Sequence, residues 1–189
     1  MGNKRVSIFN FFSESIYVRL NKEIIRKLID SIRNPSKELL DQLSRLKQGK
    51  KISLRNLTRI ASDYSISKRE IERNIILITS NKHTNVGIKN PKLPFYIDNE
   101  DIARLSGGIL GDGNLSKNLM VDYSNQNINL VNLVLNSAKN IFGNIDEKIY
   151  KKKDGCYQLH FPLIIGIFLF YFGFKNGYKT QTNQKIPYF

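Results

Sequence analysis

Asp112 stands between Gly111 and Gly113 at the end of the run Leu105-Ser106-Gly107-Gly108-Ile109-Leu110-Gly111-Asp112-Gly113. The segment leading to it starts at Asp98, an N-cap candidate with Asp101 three residues on, so a helix beginning there has acceptors for its first amides. Ala103, Gly107 and Gly111 recur every fourth residue, with Leu105 and Ser106 between them, and so share a helix face with almost no side chain on it. Glycine costs a helix roughly 1 kcal/mol against alanine, so such a face needs a compensating contact. A second helix can approach it more closely than side chains normally allow. Two such helices side by side would bring two Asp112 carboxylates together. Like charges that close stay ionised only with a divalent cation such as Mg2+ between them. An isolated Gly-Asp-Gly is also what a turn after a helix looks like, and the order of elements around it decides between the two.

Downstream the pattern alternates. Residues 114–116 and 120–124 pair across Lys117-Asn118 as a hairpin, and 129–142 form an amphipathic helix stopped by Gly143. Residues 147–152 and 156–161 flank Asp154-Gly155, a second hairpin, and Pro162 opens an apolar helix over the run to Phe174. At 14 residues, 161–174 falls short of the ~20 that a membrane span needs, which predicts a buried helix and no membrane partner.

Residues 105–113 resemble the nine-residue motif of the LAGLIDADG endonucleases. They depart from it at the sixth position, where Leu110 replaces an aspartate. The order helix, hairpin, helix, hairpin, helix over residues 98–189 is similar to that family's α-β-β-α-β-β-α repeat. The resemblance implies a site-specific, metal-dependent DNA endonuclease, with Asp112 binding the cation and the Gly111 carbonyl near it. It further implies that Gln126 positions the attacking water and that Lys179 lies near the scissile phosphate. In that family the curved sheet lies in the major groove, which makes Lys117, Asp122, Ser124, Lys151, Lys153, Gln158 and His160 candidates for DNA contact. Strand alternation puts Lys151 and Lys153 on one face and Lys152 on the other; which face is concave stays open.

The charge is lopsided. Residues 1–92 hold 20 basic and 8 acidic side chains, residues 93–189 hold 10 and 8, and the net is +14. Such a field favours double-stranded DNA or another polyanion. With Cys156 the single cysteine, no internal disulfide and no cysteine metal cluster can form, which fits a reducing cytoplasm.

The basic half reads as helices. Residues 15–20 look extended, and Asn21, Ser36, Ser53 and Ser67 each precede a helical apolar pattern, the fourth with Ile71, Ile75 and Ile78 inside. The expected architecture is α+β: a small all-α bundle over 1–80, a polar linker over 81–97 with two prolines, and the repeat over 98–189. Gln48-Gly49-Lys50-Lys51-Ile52-Ser53-Leu54 resembles the stretch after the recognition helix of repressor-like helix-turn-helix domains. On that resemblance Lys37, Gln42, Arg45 and Lys47 enter a DNA groove, with Lys50 and Lys51 beside them.

One motif helix is half of the family's site. The second would come from a homodimer partner or from the missing half of a longer protein; a decayed remnant is the third reading. A non-cleaving DNA-binding regulator is the alternative from another class, and an RNA maturase a further one.

Overall fold

Polar caps start the helices of the first half at the positions the sequence marks. The structure, a computed structural model, describes residues 4–11 and 15–177. Asn21 accepts from the Ile24 amide before α1 (Lys22–Ser31), and Ser36 from Leu39 before α2 (Lys37–Lys47). Ser53 accepts from Asn56 before α3 (Leu54–Asp63), and Ser67 from Glu70 before α4 (Lys68–Arg73). Each bond satisfies an amide that the helix itself cannot, typically ~1 kcal/mol.

These helices do not make the all-α bundle expected over 1–80. The fourth stops at Arg73, and Ile75 and Ile78 belong instead to β4 (Ile75–Thr79). That run is rich in β-branched residues, which lose χ1 freedom in a helix and pack well on a pleated surface. Its antiparallel partner is β2 (Tyr17–Leu20), with Val18 opposite Ile78, and β2 also pairs with β3 (Ile52–Ser53). Residues 81–97, expected as a linker, carry β5 (Gly87–Lys89) and β6 (Phe95–Tyr96). β6 pairs with β1 (Arg5–Val6). β5 joins β4 to β9 (Asn144–Ile145), giving a five-stranded sheet in the order β3-β2-β4-β5-β9. Ile88 is opposite Ile78 on one side and Ile145 on the other, so one buried row runs from the first half into the second.

The second half follows the expected order. It runs α5 (Glu100–Gly111), β7 (Gly113–Leu115), β8 (Val121–Asn125), α6 (Ile128–Phe142), β9, β10 (Lys148–Lys151), β11 (Tyr157–His160) and α7 (Leu163–Tyr171), with β9 the addition. β10-β11-β8-β7 form an antiparallel sheet. Val121, Tyr123 and Leu159 point to its helix-covered face and are buried. Asp98 does not cap α5: Asn99 accepts from the Ile102 amide, and Asp98 takes the Lys4 amide at 2.6 Å. The whole is mixed α+β. Phe95 sits between Phe142 (ring centroids 5.2 Å apart) and Phe168 (5.0 Å), and Phe11 reaches Phe168 at 4.7 Å, so aromatic rings tie the N-terminus, the 81–97 segment and both C-terminal helices together. No helix of the described residues is long and apolar enough to cross a membrane.

Candidate metal and nucleic-acid site

Helix α5 ends because Gly111 is followed by Asp112, whose amide still donates to the Gly108 carbonyl at 3.1 Å, and then by Gly113, which starts β7. A Cβ on Gly113 would lie 2.6 Å from the Ile109 Cα, so only glycine lets the chain fold back so tightly under its own helix. The turn leaves the Asp112 side chain exposed at the helix C-terminus. There the last carbonyls lack intrahelical partners and the helix dipole is negative. A carboxylate in that position is in an unfavourable field that a cation would relieve.

Asn125 holds Asp112. Its side-chain nitrogen donates to Asp112 Oδ2 at 2.8 Å, and the Asp112 carbonyl accepts the Ser124 amide at 3.3 Å. Tyr123 lies in the same cluster, on the buried face. Burial pushes its phenol above the usual tyrosine range, the Asp112 charge pushes the same way, and a hydrogen bond with Asn125 acts against both. Asn125 and Tyr123 were not singled out in the sequence, and only the β7–β8 register, with Gly113 opposite Tyr123, brings them beside Asp112. Gln126 is exposed, one residue past the end of β8 and next to Asn125. It does not cap α6, because Asn127 does so by accepting from the Asn129 amide. Lys179 lies outside the described residues. Among the described residues no three acids, histidines or cysteines gather as a metal cluster. Asp112 and the carbonyls of the last α5 turn, that of Gly111 included, therefore fit half of a cation site.

The bare face of α5 is exposed. Ala103, Gly107 and Gly111 face outward while Leu105 is fully buried, and a Cβ on Gly107 or Gly111 would meet nothing within 4 Å. The close helix contact within the chain uses a different glycine. A Cβ on Gly108 would lie 2.6 Å from Val134 Cγ2 of α6.

The register of the four-stranded sheet fixes which residues share its open face. Asn114, Asp122, His160 and Lys148 stand opposite one another across four strands, and Ser124, Gln158 and Tyr150 form the next row. His160 is paired through Nδ1 with Asp122 and through Nε2 with the Tyr150 hydroxyl, which also donates to Gln158 Oε1 at 3.0 Å. Gln158 and His160 thus lie on the open face as candidates for contact, and Lys148, absent from the sequence reading, joins them. Lys151 does not. It shares the other face with Ile149, Tyr157 and Leu159, and its ammonium sits 5.4 Å from the Tyr157 ring centre. Lys117 and Lys153 are exposed in the two hairpin turns.

In the first half, Lys37, Arg45, Lys47 and Lys50 are exposed. Gln42 is half-buried and bonds Glu38 at 3.2 Å, and Glu38 also pairs with Arg59 at 3.0 Å. At 3.6 residues per turn Gln42 and Lys47 are about 140° apart around α2, so the four expected contacts do not form one stripe. Lys51 is not presented as a DNA contact. Its ammonium donates to Asn81 O at 2.9 Å, to Thr84 O and to Thr79 Oγ1 at 3.3 Å, closing the turn after β4. Burial and the neighbouring Arg19 hold it below the usual lysine range. The chain matches no family model, and no curated protein or solved structure proves similar to it.

Proposed function

We propose that this chain is one half of a metal-dependent DNA endonuclease of the LAGLIDADG type, completed by a second motif helix from another copy or a longer protein. The observation that carries the reading is Asp112 exposed at the C-terminal end of a helix whose outward face is Ala103, Gly107 and Gly111. Such a face offers backbone to a partner helix, and pairing would put two carboxylates at adjoining helix ends. The order of elements, and the row of polar groups on the open sheet face beside Asp112, support the same reading. The basic helices of the first half supply a further phosphate-binding surface.

Asp112 with the terminal α5 carbonyls would hold the divalent cation, which when bound supplies charge neutralisation at the phosphate and a more acidic attacking water. Asn125 fixes the Asp112 carboxylate through Oδ2 and leaves Oδ1 for the cation. Gln126, next along the chain, is placed to orient water. His160, Gln158 and Lys148 contact the duplex from the open sheet face.

Incubating the purified protein with a double-stranded DNA library and magnesium tests this. Wild type cuts, and Asp112→Asn loses at least about 10³-fold in rate while retaining DNA affinity. Tight binding without cutting by either protein overturns the nuclease reading and leaves a DNA-binding regulator. Sedimentation addresses the partner: a strict monomer that cuts both strands contradicts the paired-helix site.

A further inference from the structure

A cleft of about 890 Å³ opens in the first half between α1, the end of α2 and the β2–β4 strands. Arg19, Lys22, Arg26 and Lys47 line it, and no acidic residue does. Lys22, Arg26 and Lys47 make no ion pair among the described residues, in contrast to Lys27, Arg59, Lys89, Arg104 and Lys139, each held by a carboxylate. Four cations converging without a counter-charge repel one another, and a polyanion relieves that repulsion. The cleft wall is not only charged. Ile76 is 39% exposed there although its neighbours Ile75 and Leu77 are buried, and Ile29 lies beside it. The register of β2 on β4 shifts between Arg19 and Leu20, which is where Ile76 falls out of the regular pairing.

The combination discriminates between kinds of nucleic acid. A duplex presents sugars and phosphates and keeps its bases stacked inside, so it has no use for an aliphatic floor in a concavity. The volume lies in the upper range for pockets that enclose small ligands. An unpaired strand offers both phosphates and base faces, and sites for such strands join a cationic groove to apolar or aromatic platforms. We infer that this cleft binds a short single-stranded segment of nucleic acid, with phosphates on Arg19, Lys22, Arg26 and Lys47 and a base laid on Ile29 and Ile76. It extends the DNA-binding reading above but does not depend on cleavage.

Fluorescence anisotropy with a labelled single-stranded oligonucleotide and a duplex of equal length tests it, using full-length variants that circular dichroism shows to be folded. Lys22→Glu/Arg26→Glu is compared with Arg69→Glu/Arg73→Glu, the same charge change on α4 outside the cleft lining. The expected result is at least about tenfold weaker single-strand binding for the cleft pair and a smaller loss for the α4 pair. Ile76→Gln keeps every charge and is expected to weaken single-strand binding about three- to tenfold, the low end of what one lost base contact costs, while leaving duplex affinity and the salt dependence unchanged. Equal losses for the two charge pairs, or unchanged single-strand binding by Ile76→Gln, overturn the proposal. Magnesium-dependent cutting by wild type and Asp112→Asn is scored in parallel. Intact cutting with no cleft effect removes the cleft alone, and a cleft effect without any cutting removes the nuclease reading alone.

Discussion

At Asp112 a carboxylate and the negative end of a helix dipole occupy one place, and Asn125 is the single side chain seen to hold it there. The cluster extends inward to Tyr123, whose phenol stays protonated to higher pH in the folded chain than its ordinary 10.0 because it is buried and faces Asp112. The sign follows directly. An acid whose folded pKa is raised contributes stability that is complete below 10.0 and is lost as pH rises from there through the folded value. Lys51 acts in the opposite sense. Its folded pKa is lowered from 10.5, so the cost of burying its charge fades as pH rises toward that value. Urea melts across about pH 9 to 11 should therefore show a shallower alkaline stability loss, or a net gain, for Tyr123→Phe relative to wild type. A steeper loss for the variant contradicts the assignment. Comparing slopes removes the constant cost of losing the Asn125 hydrogen bond.

At the scale of one element, α5 carries two kinds of glycine. Gly108 is needed inside the chain, because a methyl there would press on Val134 and on Tyr123. Gly107 has open space around it, so within the chain alone an alanine there should help the helix. Thermal melts should show Gly108→Ala destabilised by roughly 1 to 3 kcal/mol and Gly107→Ala stabilised by up to about 1 kcal/mol. The paired-helix reading adds that Gly107→Leu abolishes self-association and cutting without lowering the melting temperature. A Gly107→Leu protein that cuts as wild type does leaves this face without a partner.

Over the whole molecule, the two halves share one core. A continuous cluster of buried side chains runs from Ile8 through Phe95 to Phe174. Phe95, within the segment expected to be a linker, is fully buried among rings from α6 and α7. Phe95→Ala should cost about 3 to 5 kcal/mol, and calorimetry should show a single lowered transition because both halves lose the same contact. Two separated transitions, one unchanged, indicate independent domains instead.

Local signals in the chain were sufficient for much of this. The four N-terminal caps, the two C-terminal hairpins and the glycine-faced helix ending at Asp112 were legible because each depends on residues within a few positions of one another. The 3.6-residue pattern around Ile71, Ile75 and Ile78 misled, since a short apolar run fits a helix or a strand and its pairing with Tyr17–Leu20 lies over fifty residues away. For the same reason the sequence could place Asp112 at a helix end but not Asn125 and Tyr123 beside it. It could alternate Lys151 and Lys152 but not say which of the two faces the helices, and it counted Lys51 as a free cation when a turn 30 residues on takes its ammonium. Residue type and short-range spacing determined the elements and the chemistry on offer. Long-range strand register, which exists only once the chain is folded, decided which groups meet.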